Sequence, residues 1–235
     1  MLVSVFSAVA VAAVAVSASP TPISKRDDSW GGAVSLGPTK SNIINAVTTL
    51  IPGVPPKTQN GELFLWPGMS NGTGDLVQTT LEQWPQGNSW CGADASQWCV
   101  RASLFGSFGQ LDADAAPVNG DDHVRIEYNL AADQDTWVQN VTNALTGAYY
   151  SSFSHKSGPY MTGYGTGTEC DDSCTGTISS QRYLNTTITL RSADTTFGDT
   201  LTSSGGANHT GIEMLQGGKV WRIAEIYLPA MDASS

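Results

Sequence analysis

Residues Glu62–Trp84, ELFLWPGMSNGTGDLVQTTLEQW, read as a strand, a Gly/Asn-rich turn and a second strand. In the second strand Leu76, Gln78, Thr80 and Glu82 alternate with Val77, Thr79 and Leu81, the period-two pattern of a half-buried strand. An amide and a carboxylate therefore share one polar face, where they either line a groove or meet solvent. The same grammar runs through the rest of the chain. Runs of five to nine residues, bounded by Gly, Pro, Asn or Asp, recur at Gly32–Leu36, Ile44–Ile51, Cys99–Ser107, His123–Leu130 and Thr136–Thr142. They continue at Tyr149–Ser154, Tyr160–Glu169, Arg182–Arg191 and Val220–Leu228, and no helical period is sustained. Short strands at close spacing imply an all-β fold, an antiparallel sandwich or barrel in a single domain.

The chain has 235 residues, and its start reads as a targeting segment. Leu2–Ala18 is apolar and ends in small residues, the pattern of a signal peptide over 1–18. Lys25-Arg26 then resembles a dibasic processing site closing a short propeptide, 19–26, which leaves a domain over 27–235. Without those two residues the 11 basic side chains fall to 9, against 21 acidic ones. Such a surface is repelled by nucleic-acid phosphates and anionic membranes, so neither is an expected partner. The expectation is a secreted, extracellular monomer acting on an extracellular polymer, with no cofactor and no metal.

Four cysteines fall in two close pairs, Cys91/Cys99 and Cys170/Cys174. In a secreted chain proximity favours two local disulfides, and neither pair has a histidine beside it to suggest zinc. Sequons at Asn71, Asn140, Asn185 and Asn208 fit a glycoprotein.

Complete catalytic motifs are absent. No GxSxG elbow supports a nucleophilic serine; among the histidines only His123, at a strand start, stays a candidate. The acidic pairs Asp112/Asp114, Asp121/Asp122 and Asp171/Asp172 lack calcium-loop spacing and read as solvated turn residues. Glu62, Glu82, Glu127, Glu169 and Glu225 are candidates for the paired carboxylates of a glycosidase, whose separation sequence leaves open. Trp84 and Trp90, in a Pro/Gly/Asn loop, are candidate ligand contacts, whereas Trp98 beside Cys99 reads as packing. Strand faces add Trp66, Glu82 and Arg125, and also Tyr164 and Asn185.

Taken in order, several segments resemble the fungal glutamic peptidases (eqolisins). SWGGAV (Ser29–Val34) is similar to that family's opening, and INAVTTLIPGVPP (Ile44–Pro56) to its early strand ending in a Val-Pro turn. LFLWPGMSNGTGDLVQTT is similar to its tryptophan strand, turn and ILQTG strand, which sets Gln78 at the catalytic glutamine. GDDHVRIEY and VTNALTGAYYSSFS resemble the later strand and hairpin. The resemblance implies a concanavalin A-like (jelly-roll) sandwich and an acid endopeptidase, in which a glutamate activates water and the glutamine amide stabilises the oxyanion. The segment aligned with that glutamate, RYLNTTITL (Arg182–Leu190), contains no acid and places Asn185 there. Glu169 is the substitute base. Two other readings remain, a polysaccharide lyase or glycanase and a non-catalytic glycan-binding protein on the same scaffold.

Overall fold

The turn-bounded runs become strands because each can bury one face only by pairing with another. A computed structural model describes residues 28–233 except 58, 73, 74 and 159; the expected signal peptide and propeptide lie outside the described residues. In chain order the strands are β1 (Ser29–Leu36), β2 (Ile43–Ile51), β3 (Glu62–Ser70), β4 (Leu76–Gln83), β5 (Gln97–Gly106) and β6 (Gly109–Asp112). Next come β7 (Ala116–Asn119), β8 (Val124–Leu130), β9 (Thr136–Asn143), β10 (Tyr149–Lys156), β11 (Gly163–Asp171) and β12 (Thr177–Ile178). The last are β13 (Gln181–Leu190), β14 (Thr202–Ser204), β15 (Asn208–His209), β16 (Glu213–Leu215), β17 (Val220–Leu228) and β18 (Met231–Asp232).

These strands form two large antiparallel sheets. The first runs β14-β1-β11-β3-β4-β5-β6, with β7 also on β5; the second runs β10-β9-β8-β2-β13-β17-β15, with β16 also on β17. Neighbours are often distant in sequence, so the sheets are built by crossovers between two layers. Leu63, Leu65, Val77, Leu81, Trp98 and Val100 of the first sheet meet Leu50, Val124, Ile126, Trp137, Tyr183 and Ile223 of the second in one core. Each fully buried large side chain contributes roughly 1.5–3 kcal/mol.

Polar groups also cross the core. Tyr128 OH donates to Pro67 O at 2.7 Å, Gln139 Nε2 to Ser103 O at 2.6 Å, and Gln181 Nε2 to Thr168 Oγ1 at 2.7 Å. All three run from the second sheet to the first, so they fix how the layers sit on each other. Burial pushes the Tyr128 phenol well up, which keeps it a neutral donor.

Simple alternation fails in β13. Tyr183 points inward, but so do Thr186 and Ile188, because Asn185 is an extra residue with φ 53° at a register shift against β2. This is a β-bulge, and asparagine tolerates the left-handed backbone it needs. The face expected from strict alternation, Arg182 with Leu184, Thr186, Ile188 and Leu190, therefore splits at the bulge.

Asp194, only 5% exposed, ties the β1–β2 connection to the segment after β13. It accepts from Thr39 Oγ1 (2.9 Å), Lys40 N (2.8 Å), Thr196 N (3.0 Å) and Thr196 Oγ1 (2.7 Å). Burial alone would raise its pKa, but these four donors outweigh that and hold the carboxyl far below its ordinary range. A depressed folded-state pKa stabilises above the unfolded value and loses that contribution as pH falls toward the folded one. Asp194→Asn should cost about 3 kcal/mol near pH 6, or about 6–12 °C in Tm. The deficit should shrink between about pH 4 and pH 2, where the wild-type carboxylate loses its advantage. Thermal melts of both proteins across that range check the sign.

Candidate functional site

On the outer face of the first sheet, strands β11, β3, β4, β5 and β6 form a groove of about 650 Å³. Its lining comes from alternate residues, Glu169 and Asp171 on β11, Glu62, Phe64 and Trp66 on β3, and Gln78 and Thr80 on β4. Arg101 and Phe105 of β5, with Asp112 of β6, complete the far side. Trp66 crosses onto β11, where a Cβ on Gly167 would come within 3.4 Å of Trp66 Cζ2 and one on Gly165 within 3.8 Å of Cζ3. Those glycines make the bed in which the indole lies. Its Nε1 donates to Glu169 Oε2 at 2.9 Å, and Trp30 packs edge-on against it at 6.4 Å.

The polar face of β4 is buried rather than wet. Glu82 is 0% exposed, so its charge requires compensation. Arg101 supplies it with two bonds, Nε to Oε1 at 2.8 Å and Nη2 to Oε2 at 2.9 Å. Thr80 Oγ1 and Trp84 Nε1 fill the remaining sites at 2.5 and 2.8 Å. Arg101 Nη1 reaches Asp112 at 2.8 Å, and the guanidinium lies 5.0 Å from the Trp90 ring centroid. Asn88 holds the tryptophan loop in place by donating to Glu82 O, Gln83 Oε1 and Gln97 O.

Gln78 differs from its neighbours. It is 6% exposed, lines the groove, and makes no side-chain hydrogen bond among the described residues. Gly68 stands directly opposite on β3, where a Cβ would come within 3.2 Å of Gln78 Cβ, so glycine leaves the amide its room. Beyond Gly68, at the same level, lies Gly165 of β11. On the other side Gln78 faces Ser103 of β5, and Ser103 faces Asp112 of β6. Glu169 is level with Phe64, four residues along β3 from Gly68. With strands about 4.8 Å apart and about 3.4 Å per residue, Gln78 and Glu169 are about 16 Å apart at Cα, against about 10 Å for Gln78 and Asp112.

The structure thus gathers some expected residues and scatters others. Gln78, Glu169, Trp66 and Trp84 share the groove. Glu82 lies beneath it with both oxygens occupied, so it holds Arg101 in place and contacts no ligand. Trp90 covers Arg101 from the loop. His123 and Arg125 belong to the β8 end of the second sheet, where Arg125 pairs with Glu127 at 2.8 Å. Asn185 also lies in the second sheet, exposed and accepting from Arg222 Nη2 at 2.8 Å, so it cannot replace an acid opposite Gln78. Tyr164 is 3% exposed with its ring in the core. Asp112 is exposed, as expected, but it stands at the end of β6 rather than in a turn and pairs with Arg101.

Both cysteine pairs form disulfides, Cys91–Cys99 and Cys170–Cys174. The sequon asparagines Asn71, Asn140, Asn185 and Asn208 are all exposed. Among the described residues no group of three His, Cys, Asp or Glu side chains is arranged to hold a metal ion.

No protein-family profile matches the sequence, and no curated protein does. Solved structures match in fold. Scytalido-glutamic peptidase, solved with a peptide-based transition-state analogue, gives a TM-score of 0.51 at 12% identity, covering 85% of this chain and 99% of that one. SCP-B, a member of the eqolisin family of peptidases solved with the tripeptide Ala-Ile-His, gives 0.53 at 12% identity, covering 88% and 100%. The likeness is one of architecture, a β-sandwich of two large antiparallel sheets.

Removing one partner of the buried pair strands the other charge. Glu82→Gln should therefore cost about 3 kcal/mol or more, a fall of about 6–12 °C in Tm. A Glu82→Met, Arg101→Met double variant should lose less than Glu82→Gln alone, which thermal unfolding of the two proteins checks.

Proposed function

We propose that this protein is a secreted, acid-active, peptidase-like hydrolase that takes an extended polypeptide into the groove of its first sheet. The observation that carries this reading is Gln78, a nearly buried amide aimed into the groove with no protein partner among the described residues. An amide that opens into the groove and has no protein partner is available to bond a ligand there. A carboxamide donates a hydrogen bond to a developing oxyanion at any pH. Carboxylates in the same groove supply a base. Phe64, Trp66 and Phe105 give apolar contacts for substrate side chains. The peptide-based ligands held by the two solved structures of this fold support a peptide as occupant. Two disulfides and exposed sequons support an extracellular setting.

One observation favours a polysaccharide instead. Glu62 and Asp171 stand directly opposite each other on β3 and β11, beside Trp30 and Trp66. Opposed side chains on neighbouring strands lie about 5 Å apart, near the separation of a retaining glycosidase pair.

Incubation with a denatured protein at about pH 3–5, where a carboxylate base is partly ionised, tests the first reading. Wild-type protein should release peptides, and Gln78→Ala should lower kcat about 10²–10³-fold. A polysaccharide panel read for reducing ends and unsaturated products runs in parallel. Absent proteolysis with sugar release assigns the groove to a glycan. Silence in both assays with measurable glycan binding leaves a non-catalytic binding protein.

A further inference from the structure

Resting on the hydrolase reading, we propose that the general base of the reaction is Asp112, not Glu169. Gln78, Ser103 and Asp112 are successive cross-strand partners on β4, β5 and β6, and Gln78 and Asp112 both line the groove. Two strand spacings set their Cα atoms about 10 Å apart. Across such a gap, side chains rising from the same face can share one bridging water, which spans about 5–6 Å between heavy atoms at hydrogen-bond distances. Ser103 between them is small, and its Oγ lies buried with no hydrogen-bond partner among the described residues. Glu169 stands two strands away in the other direction and four residues out of level, with Trp66 held against it. At about 16 Å between Cα atoms, no single water reaches both Glu169 and Gln78.

Asp112 is also held in place. Arg101 Nη1 binds Oδ2 at 2.8 Å and Gln110 Nε2 donates to Oδ1 at 2.9 Å, and each oxygen keeps a second lone pair. Arg101 is in turn fixed by buried Glu82. In the reaction Asp112 takes a proton from the water as its oxygen bonds to the scissile carbonyl carbon. The carbonyl π pair moves onto oxygen, where Gln78 Nε2 donates a hydrogen bond. As the intermediate collapses the C–N bond breaks, its pair goes to nitrogen, and Asp112 returns the proton to the leaving amine.

The test compares Asp112→Asn, Asp112→Glu and Glu169→Gln with wild type on a denatured protein substrate, across the acid pH range. Asp112→Asn should lower kcat about 10²–10⁴-fold with KM little changed, a far larger loss of kcat than that of Glu169→Gln, whose effect through the groove lining should fall mainly on KM. Asp112→Glu should retain part of the rate and move the acid limb of the profile upward, because glutamate titrates above aspartate. Circular dichroism and Tm follow each variant. If Asp112→Asn fails to fold, the acid limb of Asp112→Glu decides, and an unshifted limb overturns the assignment. Loss of rate in Glu169→Gln with activity kept in Asp112→Asn overturns it too, yet leaves the hydrolase reading standing. A silent wild-type enzyme removes that reading, and the assigned base with it.

Discussion

The outer face of the first sheet depends on one buried charge. Glu82 sits on a strand covered on both faces, and an ionised carboxylate in that position is tolerable only when fully compensated. Its compensation is Arg101 on the next strand, which fixes the β4–β5 pairing from the side-chain level as well as the backbone. Arg101 then draws Asp112 to the end of β6 and carries Trp90 across its face. A four-residue strand at the sheet edge is held by this chain of contacts. One acid therefore determines the shape of one side of the groove.

Beneath the floor the second sheet adds a brace. Tyr128 bonds the carbonyl of Pro67, between Trp66 and Gly68, and Gln139 bonds that of Ser103, beside Gln78. The backbone under the amide is thereby fixed from behind. A site built on braced strands holds its side chains more exactly than one built on loops, as catalysis requires.

Much of the architecture is legible in the chain because it rests on local rules. Turn residues bound the strands, period-two alternation assigns the faces of β4 and β8, and close cysteines bridge. Where local rules end, so does the reading. Asn185 is one residue in a Thr-rich run, and nothing in its neighbours announces the bulge that shifts the phase of β13. Aligning β13 with an acid opposite Gln78 fails because chain order is not sheet order; β13 pairs with β2 and β17, in the other layer. Alternation makes Gln78 legible as one polar-face residue of β4, and only the resemblance singles it out. Asp112 is not legible, since β6 is too short to show a period and its relation to Gln78 arises only from pairing across β5. The polar face of β4, which the sequence leaves to a groove or to solvent, is covered at Glu82 by Trp84 and Arg101, partners that lie outside the strand itself.

A sheet is a lattice, and a lattice restricts where a second catalytic group can stand. Side chains on one face occur only at steps of about 4.8 Å across the strands and about 7 Å along them. The directly paired neighbours of Gln78 are Gly68 and Ser103, and its diagonal ones, about 8 Å away, are Trp66, Ser70, Arg101 and Phe105. None is an acid, so a carboxylate sharing a water with Gln78 needs a level position two strands away. Two such positions exist, Gly165 beyond Gly68 on one side and Asp112 beyond Ser103 on the other. The intervening residue is small in both directions. At Gly165 there is no side chain, and the indole of Trp66 lies close over that strand. At Asp112 there is an oriented carboxylate within the groove. If hydrolysis occurs here, the lattice leaves it one acid positioned to act together with Gln78.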